Sequence, residues 1–307
     1  MDKPYNDLSL YCIKKYGRKL YKLSLSIANT CPNRDGTLSH TGCIFCSGKG
    51  SGDFAEDVNI SVTEQIKEAK KRIEQKTKNI GDLKYIAYFQ SFTSTYLPGE
   101  ILYEKLHDAA IHPDIEVISI ATRPDCLGKD ILDVLQKINK IKPVWVELGL
   151  QSSSDKTAKI INRGYETTVF DTAVKNLQNI NIEVIAHIII GLPYETETDL
   201  LNTINHVNSL KINGVKLQLL HVLENTPLAK MNCTVLSLEE YAHLLCLCIS
   251  HLSPDIVIHR ISGDGNKKEL IAPLWSADKK RVLNYLAKYM KENGIKQGYM
   301  LSNSSSE

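Results

Sequence analysis

Six times along this 307-residue chain, a short run of apolar, strand-forming residues is followed by a longer segment of helical periodicity. That alternation is the mark of βα units, whose strands lie parallel in one sheet covered by helices. Strands are predicted near Tyr21–Ile27, Leu83–Gln90, Glu116–Ala121, Val144–Leu150, Ile182–Ile190 and Val215–Leu220. Helices are predicted near Val62–Lys78, Gly99–Ala110, Lys129–Asn139, Thr168–Asn179, Glu197–Ser209 and Leu238–His251. Leu200, Ile204 and Val207 repeat at the spacing of one buried face, and Glu197 and Asp199 give that helix the acidic start its dipole favours. With 43% hydrophobic residues, a chain of this length buries enough apolar surface for a single α/β barrel.

The loop after the first predicted strand concentrates chemistry in Cys31-Pro32-Asn33-Arg34-Asp35-Gly36-Thr37-Leu38-Ser39-His40-Thr41-Gly42-Cys43-Ile44-Phe45-Cys46. Two ligand sets are open here. Cys31, His40, Cys43 and Cys46 make a Cys3His zinc set. Alternatively, the three cysteines hold an iron–sulfur cluster, and because an electron-carrying [4Fe–4S] cluster takes four thiolates, one iron is left open for a ligand. Gly36 and Gly42 suit a tightly folded loop. Eight cysteines in a chain this long, without a secretion-type leader, point to a metal site with scattered buried thiols rather than a disulfide framework. Cys246 and Cys248, two apart on a predicted helix, face apart and make a poor chelate. No run approaches the ~18 apolar residues of a membrane span, and Met1-Asp2-Lys3-Pro4 lacks a signal-peptide apolar region, so a cytoplasmic protein without a membrane partner is expected.

Barrels of this type carry function at the C-terminal ends of their strands. On the fourth strand, alternation turns Glu147, Gly149 and Gln151 to one face, and an inward glutamate needs a partner. On the fifth strand, His187 reads by default as a buried, hydrogen-bonded histidine; the alternative is that His187, Gln218 and His221 line a substrate cavity. Cys126 is a second thiol near a strand end, although a free cysteine is usually a small buried apolar residue. Catalytic candidates are therefore Cys126, His187 and His221, with no role assigned. Near the N-terminus, Lys14, Lys15, Arg18, Lys19 and Lys22 interleave with Tyr11, Tyr16 and Tyr21, a pattern that suits either RNA entering across this segment or an ordinary solvated face. Lys67, Lys70, Lys71 and Arg72 are mixed with Glu64, Glu68 and Glu74 and read as a solvated helix face. The net charge of +2 decides nothing about nucleic acid.

Taken together, these segments resemble the radical S-adenosylmethionine (radical SAM) superfamily. The usual Cys-x3-Cys-x2-Cys spacing is stretched to eleven residues in the first gap, as in the branch of the Elongator catalytic subunit. Thr122-Arg123-Pro124-Asp125, Glu147-Leu148-Gly149-Leu150-Gln151-Ser152, Asn162-Arg163-Gly164 and Gly191-Leu192-Pro193 are similar to segments of that branch. Val257 to Gly265 and Leu270 to Trp275 resemble its bacterial YtqA/YhcC group. The resemblance implies a partial (β/α)6 TIM-like barrel with short extensions: residues 1–19 a basic and aromatic N-terminal extension, 20–252 the core, 253–300 a C-terminal extension closing the barrel, and 301–307 a disordered tail. It implies a [4Fe–4S] cluster on Cys31, Cys43 and Cys46 whose open iron binds S-adenosylmethionine. Contacts to that cofactor are implied for Phe45, Gln90, Ser91, Thr122, Arg123, Glu147, Gln151, Arg163, Gly191 and Leu192. Glu147 or Gln151 would take the ribose, Arg163 the carboxylate, and Arg123 either an anion or a salt bridge to Asp125 or Glu147. The Gly-Gly-Glu turn common in the superfamily after the second strand is absent, leaving Gln90, Ser91 and Thr93 to supply polar atoms. The implied activity is radical chemistry on the wobble uridine of tRNA, with a reducing donor such as flavodoxin or ferredoxin. Radical chemistry on a small metabolite or porphyrin-like substrate, and a non-catalytic zinc-stabilised RNA-binding protein, are the alternatives.

Overall fold

In the computed structural model, residues 3–50, 52–77, 82–263 and 265–301 are described. The start Met1-Asp2, the expected end of the first long helix at Lys78, Asp264 in the glycine-flanked turn and the tail from Ser302 lie outside the described residues. The chain forms helix α1 (Leu8–Tyr16), strand β1 (Leu20–Leu25), α2 (Val62–Lys76), β2 (Lys84–Phe89), α3 (Gly99–Ala110) and β3 (Ile115–Thr122). There follow α4 (Lys129–Asn139), β4 (Val144–Gln151), a short α5 (Asp155–Ile160), α6 (Thr167–Asn179), β5 (Glu183–Ile190), α7 (Glu197–Ser209) and β6 (Gly214–Leu219). The last elements are β7 (Val222–Leu223), α8 (Leu238–His251), β8 (Val257–Arg260), β9 (Leu270–Ala272) and α9 (Lys279–Glu292). The six βα units are present, in one parallel sheet curled into a half-barrel in the order β1-β2-β3-β4-β5-β6-β8. β8 is a seventh parallel strand beyond the six read from the sequence, and β7 pairs antiparallel with β9.

Local sequence sets the helix starts. Ser61 with Glu64, Thr196 with Asp199 and Ser237 with Glu240 form reciprocal capping boxes at α2, α7 and α8, satisfying amides that the first turn leaves unpaired. Strand alternation then divides the sheet into two faces. Leu23, Leu25, Ala87, Phe89, Ile118, Ile120, Val146, Leu148, Ala186, Ile188, Val215 and Leu217 face the helices and join one large core.

The inner face has three layers. At the strand starts, Leu20, Ile86, Val117, Trp145 and Ile185 form an apolar floor with Cys12, and Tyr11 of α1 packs against it with its ring 6.1 Å from that of Trp145. Above it lies a polar layer, and above that a cavity opens at the C-terminal strand ends. Helix α1 therefore seals the pole opposite the cavity, which corrects the expectation that its basic residues guide RNA toward the barrel mouth. Lys15 pairs with Glu183, Arg18 pairs with Asp82 at 2.5 Å, and Lys22 points inward to Glu147. Among the described residues, no helix is long and apolar enough to cross a membrane.

Phe170, fully buried on α6, tests the outer core. Phe170→Ala should lower unfolding free energy by about 3–5 kcal/mol. Ile111→Ala, at a position 59% exposed, should change it by less than about 0.5 kcal/mol, both read from urea denaturation.

Candidate functional site

The cavity at the strand ends measures about 400 Å³ and gathers Cys31, Cys43 and Cys46 with Phe45, Gln90, Thr122, Arg123, Glu147, Gln151, His187, Gln218 and His221. Larger surface pockets of about 620 and 920 Å³ lie outside it and carry no comparable set of functional groups.

The cysteine loop is held from three sides. Asn162 Nδ2 donates to Gly42 O at 2.7 Å, Asn33 Nδ2 donates to Asn162 O at 2.6 Å and lies 3.6 Å from Cys43 Sγ, and Ile44 N donates to Ile161 O at 3.1 Å. Arg34 reaches across the loop to donate to the carbonyls of Cys46 and Ser47, each at 2.7 Å. Gly42, with φ +74°, leaves room for that side chain, because a Cβ there would stand 2.8 Å from Arg34 Nε. Burial, together with the neighbouring Cys46 and Cys31, pushes the Cys43 thiol up to about 12, so two nearby sulfurs disfavour a thiolate at Cys43. A cationic group between them relieves that repulsion, and this donor set fits an iron–sulfur cluster. Among the described residues, no group of three or more His, Cys, Asp or Glu side chains is gathered as one metal ion requires. His40 lies exposed, outside the cavity lining.

Beneath the cysteines, the polar layer surrounds Glu147, which is 1% exposed. Its Oε1 accepts from Lys22 Nζ at 3.0 Å and Ser119 Oγ at 2.8 Å, while Oε2 meets His187 Nε2 at 2.7 Å and the Lys216 ammonium. Lys216 also donates to Tyr88 OH at 2.9 Å. Burial alone raises the Glu147 carboxyl, but Lys216, Lys22 and His187 overcome it and hold the group well below the usual carboxylate range. Burial and Lys216 push His187 down to about 4, so at neutral pH its Nε2–H donates to Glu147. This arrangement corrects the ribose assignment of Glu147, whose two oxygens are already occupied. Gln151 remains at the rim, with φ +59°, accepting a 3.4 Å hydrogen bond from Tyr165 OH. Gly149 permits that approach, since a Cβ there would lie 2.5 Å from Gln151 Nε2.

Other expected contacts fall elsewhere. Arg163 is fully buried and donates to Leu150 O at 2.5 Å, Ser152 O at 2.7 Å, Tyr165 O at 3.0 Å and Thr167 Oγ1 at 3.2 Å, so it braces the turn after β4 and does not reach the cavity. Arg123 does line the cavity, yet its guanidinium is paired in bidentate fashion with Asp125 at 2.9 and 2.6 Å and donates to Arg163 O at 2.9 Å. Ser91 turns away to Ser26 Oγ at 2.5 Å. Gly191 and Leu192 lie behind the lining, where Leu192 packs with Ile44, Ile189 and Leu220 in a cluster that Phe45 covers. Cys126 faces the outer 620 Å³ pocket with Tyr96 and Leu38, and burial and Asp125 push its thiol up to about 12, which removes it from the catalytic candidates. His187 and His221 remain, both in the lining, with His221 Nε2 3.1 Å from Ser276 Oγ. Sequence reasoning missed Lys22, Tyr88, Ser119 and Lys216 as one cluster. The available signal was a lysine near the centre of each of two largely apolar strands.

Comparison with known proteins gives matches along most of the chain. Residues 25–207 match a family described as the radical SAM superfamily, and residues 212–292 match a radical SAM C-terminal domain. YtqA of Bacillus subtilis is 40% identical over 301 residues, covering 97% of this chain and 92% of that protein. A tRNA-2-methylthio-N(6)-dimethylallyladenosine synthase of Alkaliphilus oremlandii is 30% identical over 114 residues, covering 36% of this chain and 24% of the synthase. In fold, Elp3 of Methanocaldococcus infernus superposes with a TM-score of 0.68 at 17% identity, over 90% of this chain and 65% of that one.

Glu147→Gln should cost about 3–5 kcal/mol, because it leaves the buried Lys216 without its anion, and Glu147→Gln with Lys216→Met should recover part of the loss. The folded-state pKa of His187 lies below its ordinary 6.5, so its contribution is complete above that value and is lost as pH falls toward about 4. His187→Gln should therefore flatten the decline of stability across that window, as measured by urea midpoints at successive pH values.

Proposed function

The chain belongs to the radical SAM superfamily, whose enzymes use a [4Fe–4S] cluster and S-adenosylmethionine, and from that premise we propose that it modifies the side chain of the wobble uridine in tRNA. The observation that carries the reading is one cavity faced by three cysteines and by segments of the Elongator-like type at Thr122, Arg123, Gly149 and Gln151. The tRNA substrate is supported by those segments and by the partial match to a tRNA-modifying synthase.

When bound, the cluster supplies one-electron reductive cleavage of S-adenosylmethionine to methionine and a 5′-deoxyadenosyl radical, which abstracts a substrate hydrogen atom. Cys31, Cys43 and Cys46 are the residues that would hold the cluster. Phe45, Gln90, Thr122 and Gln151 flank the same space and would orient the cofactor, while Arg123, neutralised by Asp125, positions the Tyr165 ring 4.8 Å from its guanidinium rather than binding a free anion. The Lys22–Glu147–Lys216 layer forms the floor of the cavity beneath the reacting groups. His187, neutral at pH 7, donates its Nε2–H to Glu147 and leaves its remaining edge to the cavity. A flavodoxin- or ferredoxin-type donor supplies the electron, consistent with a cytoplasmic enzyme.

Two measurements test this reading. Alanine at Cys31, Cys43 or Cys46 should abolish bound iron and sulfide after anaerobic reconstitution, whereas alanine at Cys12, Cys233, Cys246 or Cys248 should leave iron loading intact. Full loading of Cys43→Ala would overturn the ligand set. Nucleoside analysis of tRNA from wild-type and deletion cells should show a wobble uridine stopped at a precursor, and an unchanged nucleoside profile would direct the search to a small-molecule substrate.

A further inference from the structure

The cavity mouth is bordered by Gly263, Gly265 and Asn266, and the chain leaves it directly into Lys267 and Lys268. It then crosses β9, which pairs with β7 beside the mouth, and enters α9 through Lys279, Lys280 and Arg281. Lys267, Lys279, Lys280 and Arg281 surround one surface depression of about 520 Å³ with Trp275 and Leu274, the latter 70% exposed. Ser276 ties this segment to the rim through His221 at 3.1 Å.

Three features distinguish this patch from an ordinary solvated face. First, Lys267, Lys268, Lys280 and Arg281 are exposed and form no ion pair among the described residues, in contrast to Lys15 and Arg18 at the opposite pole. The nearby carboxylates are outnumbered: Glu269, which accepts from Asn266 Nδ2 at 2.8 Å, and Asp278, which caps Arg281 N at 3.1 Å, face five cations. Second, the first turn of α9 holds three cations and no acidic residue, although the positive end of the helix dipole disfavours cations there. Third, the patch adjoins the mouth, whereas the tyrosine- and lysine-rich α1 lies at the sealed pole.

We propose that the surface formed by Lys267, Lys268, Lys279, Lys280 and Arg281 docks the phosphate backbone of an RNA whose target base enters the adjoining cavity. The assignment rests on the tRNA reading above. Geometry supports the division of labour: exposed cations contact phosphates that carry no sequence information, and the narrow cavity receives the base. Leu274 offers an apolar contact beside them.

Filter binding of bulk tRNA across a salt series decides the matter. In the wild-type protein, log affinity falls linearly with log salt, by about 0.9 per phosphate contact in duplex regions. Replacing all five residues with Gln should reduce affinity about tenfold at low salt and lessen the slope by roughly two contacts. Lys14→Gln with Lys19→Gln at the α1 pole should change neither quantity. Circular dichroism and the thermal midpoint check folding, and Lys267→Gln with Lys268→Gln, confined to the loop, should give a smaller change of the same sign if the five-residue variant is unstable. Cofactor cleavage without RNA should persist in every variant. Wild-type slope and affinity in the five-residue variant, or a loss caused by the Lys14 and Lys19 pair, would overturn the docking surface while leaving the tRNA reading intact. Failure of the wild-type protein to bind tRNA would remove both.

Discussion

Glu147 holds the barrel interior together. Its carboxylate receives Lys22 from β1, Ser119 from β3, His187 from β5 and Lys216 from β6, and Lys216 passes the contact on to Tyr88 of β2. Every one of the first six strands of the curled sheet thus contributes one side chain to a single polar layer. Lys216 and Glu147 are buried while Lys22 is partly exposed, so Lys216 and Glu147 depend on each other most: removing either leaves the other desolvated without compensation. The layer therefore fixes the strands' relative register at one height, with the apolar floor below and the cavity above.

The cysteine loop depends on a different kind of constraint. It has no regular secondary structure, and its shape comes from hydrogen bonds to segments distant in sequence. Asn162 holds the carbonyl of Gly42, Asn33 holds the carbonyl of Asn162, and Arg34 closes the loop onto Cys46. Arg163, one residue along, braces the turn that follows β4. The Asn162-Arg163-Gly164 stretch is thus a scaffold for the site, with Asn162 acting on the loop and Arg163 on the strand end. Positioned in this way, the thiols face the cavity without relying on the loop's own propensities.

Much of this was legible in the sequence, for identifiable reasons. The six βα units announce themselves through apolar runs separated by capped helices, and the short-range cysteine spacing survives because it is local. β8 was harder to see: it has four residues, two of them polar, and its pairing with β6 is a long-range event. Inward alternation on β4 correctly brought Glu147 to the interior, but its partners lie on four other strands, and single lysines within β1 and β6 gave no sign of where they converge. Arg163 was misread because a motif gives a residue's position without its hydrogen-bond partners. Likewise, the basic composition of α1 says nothing of which pole it covers, which is decided by Tyr11 and Cys12 packing on the layer that holds Trp145.

The sheet never closes: β1 and β8 form its two free margins. Helix α1 straddles that gap at the base, following a bridge between Asp7 and Ile258 on one side and leading into Leu20 on the other. The assembly works as a cuff whose clasp lies at the end away from the chemistry. The two margins are thereby tied together at the base by α1, which contributes no residue to the lining of the cavity.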